Sequence, residues 1–321
     1  METKKLTEGG LLASLLIVIG IVMMLSGVGY WLYLDLIAPI IMALIDLRSG
    51  KKVSMIVAFS VICITFLIQG DLVAMLYLIQ AFAFGLLCSC LLQYKFGLME
   101  DLMLSSIMGC LLMLGLDRLL VMLTGVSLLD EVPIEVATFL SKEQLEVFYY
   151  IMIAATPVAS MLFVYIGSLL LGNRLRLLKK SQEEKYKQVR YYMHLSPWIY
   201  CSSKTVIISV LGVIITSFIA MCLEKGYLKA LFVCFAVSLL YFLLQDLMKL
   251  IVNYGYQVFG KYRILIPFIH LGMFVALFTH FIVTSVVLVL LGSIIDYKTK
   301  MRQQKSKQLK WYLVHHPKIV S

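Results

Sequence analysis

The chain has 321 residues, of which 61% are hydrophobic and 14% are charged, and its formal net charge is +10. A soluble domain carries about 25% charged residues, whereas long apolar runs recur here from residue 11 to residue 295. Because about 20 apolar residues span a bilayer as a helix, a soluble enzyme, a disulfide scaffold and a disordered protein are excluded. The composition predicts an all-α fold, a polytopic transmembrane helical bundle.

The predicted spans follow one another along the chain, and the last apolar run, 264–295, is the longest. As one helix its 32 residues would measure about 48 Å, too long for a hydrocarbon core of about 30 Å. We therefore expect it to turn near His280, as two full spans or as a re-entrant hairpin, which gives eight to ten spans in all. The spans before it are 11–27, 29–47, 53–69, 71–93, 102–125, 148–172, 205–223 and 227–250.

Lys and Arg predict the orientation of these spans because they are retained on the cytoplasmic side. With the N-terminus inside, 24 of the 28 Lys and Arg residues fall in inner segments. The segment 249–263 and the tail after Asp296 are then both cytoplasmic, so the number of crossings is even and both termini lie in the cytoplasm. This asymmetry accounts for the positive charge without a nucleic-acid partner.

The pattern divides the chain into four parts: membrane helices at 1–172, a basic cytoplasmic linker at 173–204, further membrane helices at 205–296 and a basic cytoplasmic tail at 297–321. In the linker, bases alternate with apolar residues, which suits a surface helix on anionic lipid. The alternative is a solvated linker whose Lys and Arg residues serve only to keep it on the cytoplasmic side. The basic residues predicted at the membrane surface are Arg174, Arg176, Lys179, Lys180, Lys185, Lys187 and Arg190.

Charged residues inside spans suggest a binding site, since each costs at least about 2.5–3.5 kcal/mol at the bilayer centre. Asp35, Asp117 and Arg118 lie about 9–12 Å from the outer ends of their spans at helical rise, and Asp71 lies at the outer mouth of the fourth span. Brought together, they would form a small-molecule pocket in the outer leaflet; an ion pair that only fixes packing, with an interfacial aromatic belt, is the alternative. The aromatic residues at this level are Tyr30, Trp31, Tyr33 and Tyr77.

No catalytic residue, metal site or cofactor is predicted. The seven Cys residues contain no CxxC pair, and His270 and His280 lack the spacing that presents two ligands on one helix face. Motifs for hydrolysis are also missing from the sequence. We expect no enzyme activity.

The first span begins with two pairs of small residues at four-residue spacing, Gly9 with Ala13 and Gly10 with Ser14. Such pairs let helix backbones approach closely. Either another helix of this chain or a partner subunit would dock there.

Five stretches resemble the YybS family of bacterial membrane proteins, a domain of unknown function. They extend over nearly the whole chain: KKLTEGGLLASLLIVIGIVM, PIIMALIDLRSGKK, LIQAFAFGLLCSCLLQYKFG, LLYFLLQDLMKL and LGSIIDYKTKMR. The first six helices of that family are similar to the substrate-binding S components of energy-coupling factor vitamin importers. In S components a small-residue pattern on the first helix docks the transmembrane coupling subunit, and the ligand binds toward the outer face.

The resemblance implies a multi-pass protein of the bacterial cytoplasmic membrane with an S-component-like bundle that binds a small solute or lipid-like ligand. Its partners would be the lipid bilayer and the transmembrane and ATPase subunits of a coupling factor, because the chain has no ATPase of its own. The four further spans and the basic linker depart from the S-component pattern. A non-transporting scaffold or regulator that recruits cytoplasmic partners through its basic segments is the alternative.

Overall fold

The computed structural model describes residues 2–26, 32–94, 96–125, 127, 142–224, 226–258, 260 and 265–315. Across these residues the regular structure is helical, without a β-strand, which confirms the predicted all-α fold. A π-helical turn, Tyr33–Ile37, leads into α2, and a short 3₁₀ turn, Ser196–Trp198, follows α8. The α-helices are α1 (Glu2–Ser26), α2 (Ala38–Ser49), α3 (Lys51–Gln69), α4 (Leu72–Gln93), α5 (Leu98–Thr124), α6 (Lys142–Arg174), α7 (Lys180–Arg190), α8 (Tyr192–Leu195), α9 (Ser203–Cys222), α10 (Tyr227–Val258), α11 (Leu265–Thr279), α12 (Phe281–Thr299) and α13 (Met301–His315).

Seven stretches of described helix are long and apolar enough to cross a membrane. They are α3, α4, α5, the Phe148–Arg174 part of α6, α9, α10 and α12. Shorter apolar stretches lie in α1 at Thr7–Met23 and in α11 at Ile266–Leu277. The chain is therefore a multi-pass helical membrane protein in its composition and helix lengths, as predicted.

The last apolar run is divided at His280, where its length predicts a turn. The backbone of His280 leaves the helical region, with φ −136° and ψ 60°, between the end of α11 and the start of α12. The Thr284 hydroxyl donates a hydrogen bond of 2.9 Å to the carbonyl of Ala276. Residues eight apart are separated by about 12 Å along a straight helix, so the chain bends sharply between these two.

One end of the bundle, called the linker end below, carries the segment between α6 and α9 and the turns that contact it. The Lys185 ammonium in α7 reaches the carbonyl of Tyr94, just after α4. Beside it, Gln93 donates to the carboxylate of Asp46 near the end of α2. The α2–α3 turn, the α4–α5 turn and the linker therefore lie together.

The start of α1 and the start of α13 also lie at the linker end. Glu8 in α1 pairs with Arg48 at 3.1 Å, two residues after Asp46. Arg302 in α13 pairs with Asp246, which also holds the linker. The described chain thus passes along the bundle an even number of times. That the linker end faces the cytoplasm remains a prediction.

Small residues allow the closest helix contacts. A Cβ atom on Gly85 of α4 would lie 2.4 Å from the carbonyl oxygen of Pro39 in α2, and one on Gly109 of α5 would lie 2.5 Å from Cβ of Pro157 in α6. Pro39 has no N–H to continue the helical hydrogen-bond ladder, which explains the π-helical turn immediately before it. These contacts bring α2 against α4 and α5 against α6.

The two small-residue pairs of α1 have different surroundings. Gly9 and Ala13 are buried, and a Cβ on Gly9 would lie 2.7 Å from Val53 of α3. Gly10 and Ser14 are exposed, and nothing lies within 4 Å of a Cβ placed on Gly10. The first pair therefore docks another helix of this chain, and the second pair faces outward.

Candidate functional site

A cavity of about 310 Å³ lies between α5, α6 and α10 at the linker end of the bundle. This volume is within the range of about 300–1,000 Å³ found for ligand pockets, which are mostly apolar with a few polar groups. The lining includes Leu102 of α5, Leu162 and Tyr165 of α6, Tyr192 of α8, and Tyr241 and Gln245 of α10.

The cavity opens on the side of the bundle. Leu162, Tyr192 and Tyr241 line it and are nevertheless 38%, 39% and 53% exposed. Leu162 and Tyr241 belong to α6 and α10, two helices long and apolar enough to cross a membrane. A ligand would therefore enter between α6 and α10 from the membrane side.

A buried ion pair closes the linker over the bundle beside this cavity. The Lys185 ammonium contacts the Asp101 carboxylate at 2.6 Å and donates to the carbonyls of Leu91 and Tyr94 at 2.9 and 2.8 Å. These three contacts use all three N–H donors of the ammonium. The Tyr165 hydroxyl, from a residue that lines the cavity, donates to the same carboxylate oxygen at 2.5 Å.

The position of Lys185 corrects one prediction, since this residue was expected at the membrane surface. It is buried because α7 turns the face carrying Gln182, Lys185 and Tyr186 toward the bundle, and residues three and four apart share a helix face. The desolvated Asp101 carboxylate also requires a charged partner. Of the other predicted surface bases, Lys187 is half-buried and the rest are exposed: Arg174, Arg176, Lys179, Lys180 and Arg190.

A second buried network ties the tail and the linker to α10. The Arg302 guanidinium pairs with Asp246 and, at 3.2 Å, with Asp296. Asp246 accepts the backbone N–H of Cys201 at 2.9 Å, and Arg302 donates to the Cys201 carbonyl at 3.2 Å. Burial raises the pKa of the Cys201 thiol and raises the pKa of Tyr200 to about 12, so both stay protonated at neutral pH.

A third buried carboxylate joins the first helices. Asp46 of α2 accepts hydrogen bonds from Ser54 of α3 at 3.0 Å and from Ser89 and Gln93 of α4 at 2.5 and 3.2 Å. All three networks lie at the linker end. The linker end is therefore held together by hydrogen bonds and ion pairs around three buried carboxylates.

The charged residues predicted in the outer leaflet, Asp117 and Arg118, differ in their burial. Asp117 is buried and accepts a hydrogen bond of 2.5 Å from the Tyr149 hydroxyl of α6. Arg118 is exposed, and its guanidinium lies 5.6 Å from the ring centroid of Tyr227. Adjacent residues of a helix do not share a face, which explains their different exposure, but Tyr227 interacts with both, since its side chain also hydrogen-bonds Asp117.

Each of the remaining predicted ligand-binding residues that the structure describes has its own local surroundings. Asp35 is exposed on the π-helical turn, and Asp71 caps α4 by accepting the N–H of Val73 at 2.8 Å. Tyr33 is buried and donates to the carbonyl of Leu16 at 3.0 Å. Tyr77 packs beside Leu76, Leu116 and Leu120, while Tyr30 and Trp31 lie outside the described residues. A pocket that joins these side chains remains a prediction.

The three buried aspartates at the linker end were missed as site residues. Asp46, Asp101 and Asp246 are not among the site residues that the sequence predicts. An acid next to or within an apolar helical run, as in LLQDLM around Asp246, is the signal that would have found them. Within the part of the chain that the structure describes, no cluster of three His, Cys, Asp or Glu side chains is placed to hold a metal ion.

Comparisons with protein-family models, with curated proteins and with solved structures found no match. Membership of the YybS family and similarity to S components therefore remain predictions from the sequence.

Proposed function

We propose that this chain is a multi-pass protein of the bacterial cytoplasmic membrane, of the YybS type, that binds a small ligand without transforming it. The observation that supports this is the side-opening cavity between α5, α6 and α10, which has the volume and the mostly apolar lining of a ligand pocket. In this proposal transport requires the transmembrane and ATPase subunits of a coupling factor, and the cavity differs from the outer-face site of S components because it lies at the linker end.

The cavity combines the first six helices with the additional ones. Leu102 and Leu162 belong to the S-component-like part, whereas Tyr192 and Gln245 follow it in the chain. The linker and the C-terminal helices, which depart from the S-component pattern, therefore have a role in this proposal: they complete the ligand pocket.

The test is to purify the full chain in a mild detergent and to identify co-purifying small molecules by mass spectrometry. Leu162→Trp narrows the cavity, and we expect it to lower the amount of bound ligand about tenfold. Leu171→Trp, on the same helix and similarly exposed (41% against 38%), is the matched control and should retain the ligand.

Arg118→Gln tests whether the ligand binds in the cavity or in the predicted outer-leaflet pocket. In the present proposal this variant binds as the wild type does. Loss of ligand in Arg118→Gln with retention in Leu162→Trp would place the ligand among the outer charges instead. Retention in both variants would contradict ligand binding at either place.

The alternative, a scaffold or regulator, is favoured by one observation. Arg174, Arg176, Lys179 and Lys180 are all exposed at the beginning of the linker, although Lys185 is buried. If the chain recruits acidic partners there, changing these four residues to Gln abolishes protein partners seen in affinity purification while the ligand content is unchanged.

A further inference from the structure

We propose that the cavity holds an acyl chain of an anionic phospholipid taken from the surrounding membrane, with its headgroup at Lys249. This inference depends on the proposed ligand-binding function and names the class of ligand. Three features of the described residues support it: the side opening, a gradient of polarity along α10, and a positive charge at the end of that gradient.

The opening favours a ligand that comes from the bilayer. Its rim includes Leu162 of α6 and Tyr241 of α10, which are exposed on helices suited to cross a membrane. The wall behind them is apolar at Leu102 and Phe242, and the buried Tyr165 directs its hydroxyl to Asp101. An acyl chain needs no hydrogen bonds from such a wall.

The polarity gradient lies along one face of α10. Tyr241, Gln245 and Lys249 follow each other at four-residue spacing, and such residues share a helix face. Tyr241 and Gln245 line the cavity, and Lys249 lies about 12 Å from Tyr241 along the helix axis, toward the linker end. Hydroxyl, amide and ammonium thus succeed one another in the direction in which a phospholipid changes from acyl chain to headgroup.

The charge at the end of this face selects an anionic headgroup. The Lys249 ammonium lies 6.0 Å from the ring centroid of Tyr192, which lines the cavity, and donates to the Ile199 carbonyl at 2.8 Å. An ammonium has three N–H donors, so donors remain for a phosphate oxygen. The carboxylate nearest along the helix, Asp246, is paired with Arg302 and with the N–H of Cys201. The half-buried Lys249 ammonium also lies 5.2 Å from the ring centroid of Tyr200, and in this proposal its remaining N–H donors bind the headgroup phosphate between the two tyrosines.

The experiment is native mass spectrometry of the full chain reconstituted in vesicles of phosphatidylglycerol and phosphatidylcholine and released into a mild detergent. We expect the wild type to retain one phosphatidylglycerol molecule, with about tenfold preference over phosphatidylcholine. Leu162→Trp should lose this lipid, and Leu171→Trp should keep it. Leu102→Phe is a second cavity-filling variant, and the melting temperature of each variant shows that it is folded.

The headgroup assignment has its own pair of variants. Lys249→Gln should keep a bound lipid but lose most of the preference for phosphatidylglycerol. Lys204→Gln removes an exposed charge of α9 and should keep the preference. An unchanged preference in Lys249→Gln would overturn the headgroup site.

Failure of this inference can be told apart from failure of the proposed function. If folded Leu162→Trp and Leu102→Phe retain phosphatidylglycerol as the wild type does, the acyl-chain site is overturned. If they retain it but lose another co-purifying molecule, the cavity still binds a ligand and only its assignment to a lipid fails. If they lose neither, both proposals fail.

Discussion

Lys185 and Asp101 are an ion pair almost completely removed from water. Their side chains are 6% and 0% exposed, and the charged atoms are 2.6 Å apart. Removing one member of a buried pair costs about 3–5 kcal/mol because the other charge remains buried without a partner. We expect Lys185→Met to lower the free energy of unfolding by about this amount, measured by denaturant titration in detergent micelles.

Two further variants isolate the cause of that loss. Lys180→Met removes an exposed base from the same helix and should leave the stability almost unchanged, since surface charges contribute about 0–1 kcal/mol. Adding Asp101→Asn to Lys185→Met should recover part of the loss, because the unpaired charge is gone. Equal effects of Lys180→Met and Lys185→Met would contradict the buried ion pair.

At the scale of elements, the contact between α5 and α6 depends on a glycine. A Cβ at Gly109 would lie 2.5 Å from Cβ of Pro157, whereas nothing lies within 4 Å of a Cβ at Gly115 in the same helix. The proline ring is rigid, so the helices themselves must shift. We expect Gly109→Ala to cost about 1–3 kcal/mol of unfolding free energy, as overpacked sites do.

Gly115→Ala is the matched control for that prediction. Ala stabilises a helix relative to Gly by about 0.5–1 kcal/mol, and at residue 115 no neighbour opposes the added methyl group. The two substitutions should therefore change the thermal unfolding temperature in opposite directions. A stabilising effect of Gly109→Ala would show that α5 and α6 do not meet at this position.

The position of the linker helix α7 differs from the one that the sequence predicts. Its alternation of bases with apolar residues predicts a helix on a lipid surface, and α7 does form as a helix. Gln182, Lys185 and Tyr186, however, point into the bundle. Other bases of the linker remain exposed, and the outward side of α7 carries both signs of charge, Lys180 and Arg190 together with Glu183 and Glu184.

For the whole molecule, the distribution of charge predicts which end of the bundle faces the cytoplasm. The linker end carries the linker, the start of α1 and the start of α13, and the inner segments so defined hold 24 of the 28 Lys and Arg residues. Because Lys and Arg are retained inside, a fluorescent protein fused after Ser321 should fold in the cytoplasm and fluoresce. Alkaline phosphatase inserted within 126–141 should be active, and activity of that enzyme after Ser321 instead would reverse the topology.

The sequence by itself determined the helical class, the position of most helices and the bend at His280. These features are local or nearly so: about 20 apolar residues make a helix long enough for a bilayer, and a run of 32 residues is too long for one crossing. The even number of passes followed from the positions of Lys and Arg, which can be read without knowing any contact.

Only the tertiary structure decided where the charged side chains go and where a cavity forms. Lys185 meets the Leu91 carbonyl 94 residues away, and Arg302 meets Cys201 101 residues away. The cavity needs side chains from α5, α6, α8 and α10 at one level. Hydropathy indicates that a helix is surrounded by lipid or protein, but it does not indicate which neighbour each face of the helix contacts. The reason is that lipid tails are as apolar as the side chains of these helices, so an apolar face can contact lipid or another helix equally well.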